Sequence, residues 1–88
     1  MPLTPSQRTQ IANYKAQILR YRNDIDNIKD NKKSKAEYYA NLIKGTKDAN
    51  NKRNYRASKV RDMANYANQI ESKKKDIERI KGYIKSIK

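Results

Sequence analysis

Cysteine, histidine, tryptophan and phenylalanine are all absent from this 88-residue chain, which holds only two glycines and two prolines. Each absence removes a class of chemistry. Without cysteine there is no disulfide framework, thiol nucleophile or thiolate zinc site. Without histidine there is no side chain whose ordinary pKa lies near neutrality, and no imidazole metal ligand. Gly45 and Gly82 stand too far apart in the chain to build a phosphate-cradling loop. Acids are scarce too, nine in all. Asp24 and Asp26 are two residues apart, as are Asp76 and Glu78, so on a helix each pair points to different faces. Neither pair forms a general acid–base site. These gaps point away from an enzyme, and no cofactor or metal is expected.

Apolar residues are also few. Only 35% of the chain is hydrophobic, and no apolar run approaches the roughly 20 residues that span a bilayer. Met1-Pro2-Leu3-Thr4-Pro5 has neither the basic start nor the apolar stretch of a secretion signal, so a cytoplasmic location, or an intracellular one in a host, is expected. A chain this thin in large apolar side chains cannot enclose a thick core. Two designs fit: an elongated helical assembly with a narrow apolar seam, or a chain that orders fully on a partner.

What is abundant is positive charge. Twenty-two Lys and Arg stand against nine Asp and Glu, a formal net charge of +13. An AT-rich coding sequence inflates Lys, Asn, Ile and Tyr, but it favours acidic codons as well, and seven arginines are present here. Codon bias therefore explains part of the lysine count and not the imbalance. Such a charge repels itself and attracts polyanions: nucleic acid, an anionic membrane or an acidic protein surface. The membrane ranks last, because the apolar stripes are narrow and lack Trp and Phe for lipid burial.

The patterning is helical throughout. Thr4-Pro5-Ser6-Gln7 supplies a capping residue, a proline at the first helical position and a glutamine able to reach back to the cap. Ile11, Tyr14, Ile18, Tyr21, Ile25 and Ile28 follow at alternating steps of three and four, the seam of a coiled coil. That predicts a helix over about 5–30. Continued, the seam meets Lys32 and Lys35, and Ser34-Lys35-Ala36-Glu37 offers a second capping box, so two readings stand side by side: a break or kink near 30–34 with a short helix over about 34–44, or one continuous helix. Gly45, able to turn left-handed, then ends that helix ahead of a polar turn over about 45–54. Patterning resumes with Val60, then Met63, Tyr66, Ile70, Ile77, Ile80, Ile84 and Ile87, predicting a helix over about 55–87. The fold class is all-α: an elongated hairpin or antiparallel coiled-coil-like bundle of two long helices.

Sliding the chain by 52 residues brings Ile11–Lys29 over Met63–Lys81, with nine of 19 positions identical. The two long helices therefore present equivalent faces. They can pair within one chain, or exchange partners in a homodimer. A hairpin turning near Gly45 puts residue i opposite 91 − i, which sets Ile11 on Ile80 and Tyr14 on Ile77. It also sets Lys32 against Lys59 and Lys35 against Arg56, so this end is expected to splay, kink or close around an anion. At the same point Ile43-Lys44-Gly45 resembles the Trp-x-Gly of the WXG family of helical-hairpin proteins. The tryptophan is absent and the charge is far more basic, so no role carries over.

Charge gathers in the middle of the chain. Lys29, Lys32, Lys33, Lys35, Lys44, Lys47, Lys52, Arg53, Arg56, Lys59 and Arg61 face only three acids, giving +8 in 33 residues, against +5 in the other 55. Tyr38 and Tyr55 lie among them, and phenol rings can stack on bases. The leading expectation is a non-catalytic protein that engages nucleic acid or a nucleoprotein complex through this segment, by charge and shape and with little base readout. The alternative is an adaptor, scaffold or inhibitor that docks on an acidic protein surface or completes a helical bundle.

Overall fold

A computed structural model describes residues 2–88. The chain forms one helical hairpin, 69 × 15 × 12 Å: α1 runs from Pro5 to Gly45 and α2 from Ala49 to Ile87. The first helix starts as its sequence dictates. The Thr4 hydroxyl accepts from the Gln7 N–H at 3.1 Å, the Gln7 side-chain Oε1 accepts from the Thr4 N–H at 2.9 Å, and Pro5 follows the cap.

The break at 30–34 does not occur. α1 is continuous through Lys32, Ser34 and Lys35, and there is no separate helix over 34–44. Between Pro5 and Gly45 the sequence holds no proline or glycine, so nothing forces the backbone out of its ladder. Lys32 and Lys35 stay on the inward face, half-buried, as long aliphatic stems with a charged tip can.

The turn is also shorter than the polar run suggests. It comprises Thr46, Lys47 and Asp48. The Asp48 carboxylate accepts from the Asn50 N–H at 2.8 Å and starts α2 at Ala49, drawing the asparagines at 50, 51 and 54 into the helix. Gly45 does not turn left-handed. None of the described residues has a positive φ, and the chain reverses through extended Thr46 and Asp48.

All thirteen seam positions expected to pack do face inward. Ile11, Ile18, Ile25, Ile70, Ile77 and Ile80 are buried; Tyr14, Tyr21, Ile28, Met63, Tyr66, Ile84 and Ile87 are half-buried. Val60 is the exception to the longer pattern, 71% exposed and off the seam. The continuous core comprises Ile18, Ile25, Ile70, Ile77 and Ile80, with Tyr14, Tyr21, Ile28 and Ile84 against it. It is built from the sequence repeat: Ile18 and Ile70, Ile25 and Ile77, Ile28 and Ile80 are each 52 residues apart.

The pairing register differs from the one expected. Tyr14 stacks on Tyr83, ring centroids 5.7 Å apart, and Asp24 meets Lys73 at 3.5 Å, so residue i lies near 97 − i. α1 takes in Gly45 and the chain reverses through Thr46, Lys47 and Asp48, which moves the midpoint of the hairpin toward the C-terminus. Tyr14 therefore misses Ile77 by six residues. The like-charge pairs disappear with the old register: Lys35 comes level with Asp62, and Lys32 with Asn65.

Candidate functional site

The eleven basic residues of 29–61 occupy the turn end of the rod, because α1 delivers its last turns and α2 its first turns there. Lys29, Lys33, Lys44, Lys47, Arg53, Arg56 and Arg61 are exposed; Lys32, Lys35, Lys52 and Lys59 are half-buried. Among the described residues, only Arg61 of the eleven has a carboxylate partner, its neighbour Asp62 at 3.7 Å. Arg53 donates to the Asn50 side chain at 3.1 Å. The exposed cations surround the end instead of lining one face, since Lys33, Lys44 and Arg53 fall on the helix faces away from the seam.

One polar cluster anchors this end. The Tyr39 hydroxyl donates to the Asp62 carboxylate at 2.5 Å across the two helices. That hydrogen bond, together with burial and the adjacent negative charge, raises the Tyr39 pKa above its usual value, because ionising the phenol would remove its proton from a carboxylate. The Lys35 ammonium lies 5.0 Å from the Tyr38 ring centre and 5.6 Å from that of Tyr39, and the two rings meet edge to face at 5.4 Å. Lys35 is thus engaged by aromatic faces. Tyr38 stays about half exposed beside the cations, whereas Tyr55 is half-buried in the seam.

A second basic feature escaped the sequence reading. With each seam lettered in heptads, a and d are the inward positions of both helices, Ile11 and Tyr14 opening the series in α1 and Met63 and Tyr66 in α2. Position e of α1 is then Arg8, Lys15, Arg22 and Lys29, followed by Ala36 and Ile43, and position e of α2 is Ala67, then Lys74, Lys81 and Lys88. In an antiparallel pair the e columns share one side, and here both border an open furrow. Its middle stretch is lined by Arg22, Ile25, Asp26 and Lys29 from α1 and by Lys74, Ile77, Glu78 and Lys81 from α2. Leu3, Arg8, Ile11, Ala12, Lys15 and Lys88 line its continuation toward the termini. The signal was a seven-residue spacing of cations, hidden by counting charge per segment and not per helix face.

The opposite side carries Asp24 and Asp76. Asp24 pairs with Lys73 at 3.5 Å and Asp76 with Arg79 at 3.1 Å, Lys73 lies 5.1 Å from the Tyr21 ring centre, and Tyr14 covers Tyr83. No group of three or more metal-ligating side chains converges among the described residues, and no helix is long and apolar enough to cross a membrane. Comparisons with protein-family models, curated proteins and solved structures find no match for the chain.

Proposed function

We propose that this protein is a non-catalytic polyanion binder that holds nucleic acid, free or in a nucleoprotein complex, at the turn end of its hairpin. One observation carries the reading: eleven cations are gathered at one end of a rigid rod, and ten of them lack a carboxylate partner among the described residues. Unpaired surface cations held at fixed spacing release condensed counterions when they meet a phosphate backbone. Because the charges encircle the end and no helix presents a row of base-reading side chains, recognition rests on phosphate positions with little dependence on sequence. Tyr38 adds an exposed ring beside the cations on which an unpaired base can stack.

The test is fluorescence anisotropy with labelled duplex DNA, single-stranded DNA and RNA between about 50 and 200 mM salt. The expected affinity falls roughly 10³-fold or more over that range for six or more phosphate contacts. Lys33, Lys44, Arg53 and Arg56 are exposed, so replacing all four with Gln lowers affinity without touching the packing. Equal binding by that variant would move the site elsewhere on the molecule.

A further inference from the structure

We infer that the furrow between the two e columns is a docking site for an acidic amphipathic helix of another protein, which completes a three-helix bundle on the terminal half of the hairpin. Residues at e and g normally form ion pairs between coiled-coil helices. On the g side of this hairpin Asp24 does so, reaching Lys73 of the other helix, while Asp76 pairs within its own helix with Arg79. On the e side Arg8, Lys15 and Arg22 come level with Lys88, Lys81 and Lys74, and Lys29 with Ala67; these seven cations outnumber Asp26 and Glu78, the acids that line the furrow between them. Only Lys81 has an ion-pair partner among the described residues, Glu78 of its own helix at 3.4 Å. Like charges facing across a seam cost stability, so this side is built against the hairpin's own interest.

The repeat builds the same furrow from both helices. Arg22 and Lys74, Ile25 and Ile77, Asp26 and Glu78, Lys29 and Lys81 are each 52 residues apart, and each pair keeps its chemical type. The floor selects the occupant. Ile25 and Ile77, then Ile11 and Leu3 toward the termini, reward apolar side chains and offer nothing to phosphates. A helix of about 10 Å diameter seats between two helices packed at ordinary spacing. Leu or Ile at its a and d positions reaches the floor while Glu or Asp at e and g meets the cation columns on either bank. A second copy of this chain would bring the same cations onto its own columns, so it does not suit this face. The stretch from Arg8 to Lys29 is roughly 30 Å long, enough for about three heptads.

The probe is a synthetic peptide of about 21 residues with Leu at a and d and Glu at e and g, titrated by calorimetry and circular dichroism at physiological salt. We expect one peptide per hairpin and a gain of helix. A scrambled peptide of equal charge, lacking the apolar stripe, should bind at least about tenfold more weakly. The double variant Arg22→Glu/Lys74→Glu should lose at least about tenfold in peptide affinity while melting at a higher temperature than the parent, because it relieves repulsion between the e columns. Arg22→Gln/Lys74→Gln should move both readings the same way by less. Equal affinity of the scrambled peptide, unchanged affinity of the Glu variant, or a lower melting temperature in both variants would each overturn the inference. The turn-end Gln variant should bind the peptide as the parent does, so this result stands or falls apart from nucleic-acid binding.

Discussion

The two halves of the rod are made from the same helices and do opposite things. Toward the termini, Ile18, Ile25, Ile70, Ile77 and Ile80 form a continuous core, and three of the four ion pairs among the described residues lie around it. Toward the turn, the only buried side chain is Tyr39, held by one hydrogen bond to Asp62, and +8 of the +13 charge is gathered between residues 29 and 61. Apolar burial sets the stability of such a hairpin, and surface charge of one sign works against it. Separating the two along the axis lets one end hold the fold while the other tolerates a charge density that a core could not. The internal repeat fits this division, since its matched positions, 11–29 and 63–81, are the terminal half.

The sharpest way to break the comparison is to hollow the core. Ile80 is the most buried residue, 2% exposed. Ile80→Ala should cost about 2–5 kcal/mol in thermal or denaturant unfolding, while the fraction still folded at low temperature binds polyanions as before. The turn-end change has the reverse signature. Replacing Lys33, Lys44, Arg53 and Arg56 with Gln should weaken nucleic-acid binding by roughly tenfold or more at 100 mM salt, with a melting temperature equal to or above the parent's.

Tyr39→Phe probes the one polar link in the basic half and should destabilise less than Ile80→Ala. Its pH dependence has a definite sign. The phenol pKa is raised in the folded protein by the hydrogen bond to Asp62, so the stabilisation is complete below the unfolded value of about 10. It is lost as the pH climbs through the raised folded value. The stability difference between parent and Tyr39→Phe, followed by chemical denaturation from pH 8 to about 11, should therefore shrink toward the alkaline end. A difference that grows there would place the proton elsewhere. Smallest of all is the Asp24–Lys73 pair, both side chains at least one-third exposed. Asp24→Asn should cost no more than about 1 kcal/mol, and less at high salt.

The periodic parts of this fold were readable from sequence, and the punctuation was not. Every Ile and Tyr placed on the seam faces the partner helix, because a three–four spacing over several turns leaves no other face to bury. The break at 30–34 failed because Lys32 and Lys35 were treated as faults. In a seam only one side chain thick, an aliphatic stem packs while its ammonium reaches solvent, or, for Lys35, the Tyr38 and Tyr39 rings. The turn was drawn too long because Asn50 and Asn51 read as turn residues, although Asp48 was in place to cap a helix that takes them in, and the register failed because the reversal was set at Gly45, which α1 takes in. That misplacement of a few residues changed which charges meet. The gathering of cations at the turn end was legible from segment charge. The basic furrow was not, because it needs the two e columns brought side by side.

The most direct test of the central claim, that the turn end presents charge to a polyanion while the terminal half holds the fold, is the salt dependence of duplex DNA binding by parent and turn-end Gln variant. Log affinity should fall in a straight line with log salt for the parent, with a slope shallower by up to roughly 0.9 for each lost phosphate contact in the variant. Unchanged slope and affinity in a folded variant, or no binding by the parent at about 50 mM salt, where phosphate contacts are strongest, would contradict it.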